Sequence, residues 1–148
     1  DKPGKYENKQ KKYPLGTVVD LNKADTSELK CIPGIGSTYA TRIVKFRNLL
    51  GGFYSVAQLK EVYGIDEEKF DTLKEWFTVN ENTLKQLLVN QLPEDSIRKH
   101  PYIDYRQAKV LVRLRKKIGK LSGWDNLLLL EEFTEADKSR LTPYLSFD

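Results

Sequence analysis

Ile32-Pro33-Gly34-Ile35-Gly36, followed by Ser37 and Thr38, is the segment whose residue types and spacing point to chemistry, and that chemistry is anion binding. Two glycines two apart let the backbone enter positive φ and remove the side chains that would hold another chain at a distance. The turn feeds the start of a helix, where the first amides have no intrahelical partner and the dipole is positive. Backbone N–H groups so arranged form a small phosphate site. Because amides read no base edges, such a site implies binding independent of sequence. Ile35, between the glycines, is expected to point inward and tie the turn to the core. Arg42 and Lys45 lie on the following helix, within reach of flanking phosphates or simply solvated.

A second candidate lies between Tyr105 and Trp124, where Arg106, Lys109, Arg113, Arg115, Lys116, Lys117 and Lys120 occur without an acid. Positions 106, 109, 113, 116, 117 and 120 recur at helical spacing and make a basic stripe opposite Ala108, Leu111, Val112, Arg115 and Ile118. Such a stripe either follows a phosphate backbone, with steep salt dependence, or is a solvated face. The aromatic residues Tyr39, Phe53, Tyr54, Trp76, Trp124 and Tyr144 fit stacking on single strands less well than packing between helices.

Other chemistries are excluded or unsupported. One Cys and one His cannot supply a typical zinc site, and a single Cys forms no internal disulfide. Nucleophilic catalysis would have to run through His100, and no nucleophile turn accompanies it. His100 and Cys31 read as structural. No enzyme, metal, cofactor or small-molecule substrate is implied.

The chain has 148 residues, 39% hydrophobic and 31% charged, with a formal charge of +4. Residues 1–14 contribute +3, residues 15–80, with eight basic and nine acidic side chains, −1, and residues 81–148, with twelve and ten, +2. The part holding the glycine turn is therefore slightly acidic. Residues 1–14 carry two prolines and no aliphatic side chain and read as a flexible basic linker. A chain that begins at Asp1 and has no Met reads as a processed piece.

The elements that must position these groups occur twice. Asp20–Asn80 aligns with Leu88–Asp148 at an offset of 68 residues, with ten identities in 61 ungapped pairs, among them Asn22/Asn90, Ile35/Ile103, Ala40/Ala108 and Arg47/Arg115. Ordinary residue frequencies give roughly four. Each copy divides into four short helices. In the first, Asp25 with Glu28 and Ser55 with Gln58 read as capping boxes, Gly51-Gly52 closes the long helix, and Asp66 caps the last one. In the second, Pro93 opens the first helix, Gly119 follows the second, and Thr134 caps the fourth. The expected fold is all-α, two tandem units at 15–80 and 81–148.

The stretch VVDLNKADTSELKCIPGIG, with Ala40, the Gly51-Gly52-Phe53 corner and Ser55-Val56-Ala57-Gln58-Leu59-Lys60, resembles the helix-hairpin-helix domain of the ComEA family of bacterial competence DNA receptors. The resemblance covers residues 17–80 closely and 81–148 in diverged form. It implies two hairpin motifs per unit and non-enzymatic binding of double-stranded DNA through hairpin amides and nearby basic residues. It implies Pro33, Gly34, Ile35, Gly36, Ser37, Thr38, Arg42 and Lys45 as contacts, and the stripe read from helical spacing adds Arg106, Lys109, Arg113, Lys116 and Lys117 as candidate helpers. A place at the cell envelope follows from the same likeness, and the chain is expected to be a monomer.

The sequence departs from the family pattern in the other three hairpins. Tyr63-Gly64-Ile65-Asp66 keeps one glycine, while Pro101-Tyr102-Ile103-Asp104 and Glu132-Phe133-Thr134 have none. Asp66 and Asp104 would repel a phosphate. The competing reading is a scaffold or protein-interaction module that keeps the fold and has little DNA affinity; a subunit of a DNA-repair enzyme would need a catalytic domain elsewhere.

Overall fold

The computed structural model describes residues 11–148. It divides into two compact units, the first running to Arg47 and resuming at Phe53–Asn82, the second formed by Asn48–Gly52 with Thr83–Asp148. The second unit thus takes in the five residues around the Gly51-Gly52 corner, which the sequence assigns to the first copy.

In the first unit, α1 (Thr26–Leu29) leads through a hairpin to α2 (Ser37–Leu50). A 3-10 helix (Val56–Glu61) leads through a second hairpin to α3 (Glu67–Leu73). Two-residue strands β1 (Val19–Asp20) and β2 (Phe77–Thr78) pair in parallel, Val19 opposite Phe77, and bring the ends of the unit together. The second unit repeats this order with α4 (Glu94–Ile97), α5 (Tyr105–Ile118), α6 (Trp124–Leu127) and α7 (Glu135–Leu141). Its strands β3 (Leu87–Leu88) and β4 (Leu145–Ser146) are also parallel, Leu87 opposite Leu145. Both registers differ by the 68 residues of the repeat. The helical content matches the all-α expectation; strands this short leave no alternation to read. Among the described residues no helix is long and apolar enough to cross a membrane.

The repeat is also a repeat of cores. Leu21, Leu29, Ala40, Ile43, Phe53, Leu59 and Leu73 are fully buried, and so are their counterparts Val89, Ile97, Ala108, Leu111, Leu121, Leu127 and Leu141. Each large side chain of this set contributes about 1.5–3 kcal/mol on burial, which is how helices of only four to seven residues persist.

Two of the three polar identities explain themselves in the fold. Asn22 donates to Phe53 O at 2.8 Å and accepts from Phe53 N–H at 2.7 Å, and Asn90 does the same with Leu121 at 2.8 and 2.8 Å. Arg47 donates to Leu21 O and Ala24 O at 3.0 and 2.5 Å, and Arg115 to Val89 O and Leu92 O at 2.8 and 2.7 Å. Burial lowers the Arg47 pKa, with Asp20 and Asp25 acting the other way. Arg115 therefore ties the long helix to the turn that follows β3, rather than joining the basic stripe.

Local caps follow the sequence with two corrections. Asp25 accepts from the Glu28 amide, but the Glu28 carboxylate takes a hydrogen bond from Tyr13 instead of reaching back to close a box. Pro93 is the residue before the first turn of α4 rather than within it. The Ser55–Gln58 box, the Asp66 and Thr134 caps and the positive φ of Gly51, Gly52 and Gly119 all occur as expected.

Candidate nucleic-acid interface

The four hairpins share one frame. An amide closes each turn onto the carbonyl three residues back: Ile35 on Ile32, Ile65 on Val62, Ile103 on His100 and Phe133 on Leu130, at 3.0 to 3.2 Å. The closing side chain is buried in every case. Ile35 thus points inward as expected, and of its atoms only the backbone belongs to the site.

What differs is the residue on either side of that anchor. In the first hairpin Gly34 has φ 92°, and in the second Gly64 has φ 90°. Tyr102 and Glu132 stand at these places in the second unit, and no non-glycine residue among those described has positive φ. The second unit turns the same corner without the left-handed step.

Gly36 behaves otherwise than the sequence suggests. Its φ is not positive, and a Cβ built on it meets nothing within 4 Å. Neither backbone strain nor packing calls for glycine there. What its lack of a side chain does is leave the start of α2 uncapped. The first bond of the helix runs from Ala40 N–H to Gly36 O at 2.9 Å, and among the described residues no side chain accepts from the amides of Ser37, Thr38 or Tyr39 before it. Pro33, Gly34, Gly36, Ser37 and Thr38 are all exposed.

The other three hairpin helices cap themselves. The Asp66 carboxylate accepts from the Lys69 amide at 2.8 Å. Asp104 accepts from the Gln107 amide at 2.8 Å while Gln107 accepts from Asp104 N–H at 3.0 Å. Thr134 accepts from Asp137 N–H at 3.2 Å. A carboxylate already sits where a phosphate oxygen would sit at Asp66 and Asp104.

Basic groups surround the open hairpin. Lys69, from α3, donates to Gly34 O at 2.6 Å, with its ammonium 4.7 Å from the centre of the Tyr39 ring. Tyr39, from α2, donates in turn to Gly64 O at 3.2 Å. Each hairpin is therefore held by the helix that follows the other one, through residues five positions past Gly34 and Gly64. Arg42 lies 4.7 Å over the Tyr63 ring and donates to Tyr63 O at 3.2 Å, so it is half-buried against the second hairpin rather than free beside the first. A Cβ at Gly64 would come within 2.7 Å of the Arg42 guanidinium, the movable end of a flexible side chain, and it is the φ of 90° that calls for glycine there. Lys45 is exposed.

Lys12 is a residue that sequence reasoning missed. Its ammonium donates to Lys30 O at 2.6 Å, Ile35 O at 3.1 Å and Ile32 O at 3.4 Å. Tyr13 N–H donates to Cys31 O at 2.7 Å. Residues 12 and 13, which the sequence places in a flexible linker, are docked on the hairpin; residues 1–10 of that linker lie outside the described residues.

In the second unit the single tie survives in altered form, with Gln107 donating to Glu132 O at 3.0 Å. The counterpart of Lys69 is Asp137, which serves the Thr134 cap. Tyr102 is buried against His100 and Tyr144, under the Arg140 guanidinium 3.9 Å from its ring centre. His100 is buried, with Nδ1 accepting from Tyr102 N–H at 3.1 Å, so the ring proton is on Nε2 and is donated to Leu50 O at 2.9 Å. Burial pushes its pKa down to about 4, with Arg140 acting in the same direction and the Leu50 bond against it. On α5, Arg106, Lys109, Arg113, Lys116 and Lys117 are exposed, as is Lys120 two residues past its end, with Ala108 and Leu111 on the opposite, buried face of the helix. Among the described residues no cluster of His, Cys, Asp or Glu could hold a metal ion.

A family model described as helix-hairpin-helix motif matches residues 16–78. ComE operon protein 1 of Bacillus subtilis (strain 168) is 34% identical over 64 residues, 43% of this chain and 31% of that protein. The first unit is a ComEA-like helix-hairpin-helix domain. A zebrafish (Danio rerio) protein named endonuclease/exonuclease/phosphatase family domain-containing protein 1 is 34% identical over 56 residues, 38% of this chain and 10% of that protein. The chain thus spans about a third and a tenth of these two relatives. No solved structure matches it. The stretch matched by the family model includes both hairpins of the first unit and ends before Thr83, where the longer segment of the second unit begins.

Proposed function

We propose that this protein binds double-stranded DNA without sequence preference and without catalysis, and that its phosphate site is the run of open amides after Gly36. The single observation behind this reading is Gly36 itself. It is a glycine that neither conformation nor packing requires, at a helix start that no side chain among the described residues caps. A phosphate oxygen accepting from the Ser37 and Thr38 amides would gain charge-assisted hydrogen bonds and the helix dipole. Lys45 and the exposed lysines and arginines of α5 would add non-specific attraction.

The test is titration of duplexes of unrelated sequence at two salt concentrations, with Gly36→Asp as the variant. Comparable affinity for all duplexes, weakening as salt rises, is expected. Gly36→Asp places a carboxylate at the site without a clash and should reduce affinity about tenfold or more while the circular dichroism spectrum is unchanged. Absence of binding at both salts, or an unaffected variant, would refute the reading. For the second unit the scaffold reading draws support from Asp104 and Thr134, which fill their own helix starts.

A further inference from the structure

We propose that Lys12, ahead of α1, is a working part of the hairpin, with Lys12 and Lys69 acting as positioning residues that hold its carbonyl side so that its amide side stays presented to phosphate. This rests on the DNA-binding reading above and goes beyond it. The three carbonyls around the turn, those of Ile32, Gly34 and Ile35, each accept from a lysine ammonium. With Lys30 O as its third acceptor, Lys12 uses all three of its N–H donors on backbone oxygens. Such saturation is unusual for an exposed lysine, whose ammonium is ordinarily hydrated.

The consequence lies in peptide geometry. The oxygen of Ile35 and the N–H of Gly36 belong to one planar peptide group and point in opposite directions. A cation on that oxygen polarises the group and strengthens its N–H as a donor, as in any hydrogen-bonded chain. It also fixes the plane of the peptide, so the amide does not have to be oriented when DNA arrives. Lys69 holds the neighbouring peptide through Gly34 O, and the N–H of that peptide, belonging to Ile35, closes the turn onto Ile32 O. In the second unit Asp137 takes the place of Lys69, and Asn80, 68 residues after Lys12, still belongs to the first unit; neither is cationic, and the hairpin of the second unit has Asp104 capping its helix start. Clamp and open site occur together and are lost together.

The experiment compares Lys12→Met with Lys11→Met, two variants that lose the same charge from adjacent exposed residues. Duplex affinity and its salt slope are measured, together with amide hydrogen exchange of Gly36, Ser37 and Thr38 in the free protein. Lys12→Met is expected to lose about tenfold in affinity and Lys11→Met about twofold. The salt slope of Lys12→Met should stay at the wild-type value, because the ammonium sits on carbonyls rather than on phosphate, whereas loss of a direct phosphate contact would lower it by about 0.9. Exchange at Gly36 should change in Lys12→Met alone. Lys12→Arg, which keeps the charge but spreads it over a planar fork, should recover only part of the affinity. Equal affinities for the two methionine variants with identical hairpin exchange, or a salt slope lowered by a full phosphate, would overturn the proposal. Wild-type protein that binds no duplex would refute the DNA-binding reading instead, and the exchange of the free hairpin would still decide whether Lys12 holds it.

Discussion

The first hairpin and the one at Pro101–Asp104 occupy the same place in their units, close through the same carbonyl-to-amide bond and bury an isoleucine at the same position. They differ in two residues. Where the first has Gly34 and Gly36, the other has Tyr102, packed into an aromatic cluster, and Asp104, which caps its own helix. The anion site of a helix start can thus be filled from within, and the fold loses nothing by it; the carboxylate adds a capping box. What makes a hairpin a binding element is therefore what it leaves unsatisfied, and that lies outside the requirements of stability.

The comparison can be tested most severely with acid. His100 is held neutral in the second unit and has no counterpart in the first, where Ile32 stands 68 residues earlier. Its folded pKa, about 4, lies below the usual histidine value of 6.5, so the stability it contributes is complete above the higher figure and is lost as pH falls from 6.5 toward 4. The loss should be on the order of 3 kcal/mol. Amide exchange at pH 7 and pH 4.5 should show α5 opening while α2 as far as Arg47 stays protected, and His100→Gln should flatten the difference. Equal loss of protection in both helices would break the contrast.

The next largest effect is expected from Asp104→Gly, which opens the start of α5. The second unit should lose about 1 kcal/mol of stability with its cap. Duplex affinity should rise a few-fold as amides and the adjacent basic residues become available together, read by titration at low salt. Unchanged affinity would mean that Tyr102, with its bulk and its different turn, is enough to keep phosphate away.

The smallest effect concerns the stripe. Lys109→Ala with Lys116→Ala removes two exposed charges from α5, and the salt slope of duplex binding should fall by up to about 1.8 if both meet phosphate. An unchanged slope would mark the stripe as a solvated face and leave the first hairpin as the sole contact.

The fold was legible because it is written in positions that repeat. Leu29 with Ile97, Ile43 with Leu111 and Leu73 with Leu141 carry the same burial at one offset, and local punctuation such as Ser55 with Gln58 or Gly119 acts within a few residues. The glycine turn was legible for the same reason, although the two glycines proved to do different work, Gly34 supplying a conformation and Gly36 an absence. Lys12 was not legible. A lysine among lysines, prolines and polar residues has no periodicity, and its acceptors lie 18 to 23 residues away. Lys69 was hidden similarly, since its bond to Gly34 spans 35 residues. The assignment of Asn48–Gly52 to the second unit follows from bonds such as Tyr144 to Gly52 O, 92 residues apart, which leave no local trace.

The two parallel ladders, each only two residues long, set the first and last residues of a unit side by side. Incoming and outgoing chain then meet the unit at one point on its rim. Only residues 79–86 separate the last strand of the first unit from the first strand of the second. A module with that geometry can be doubled by joining end to start through a few residues, with no strand rethreaded. Duplication was thus a small step for this fold, and one copy was left free to fill its helix starts while the other kept one of them open.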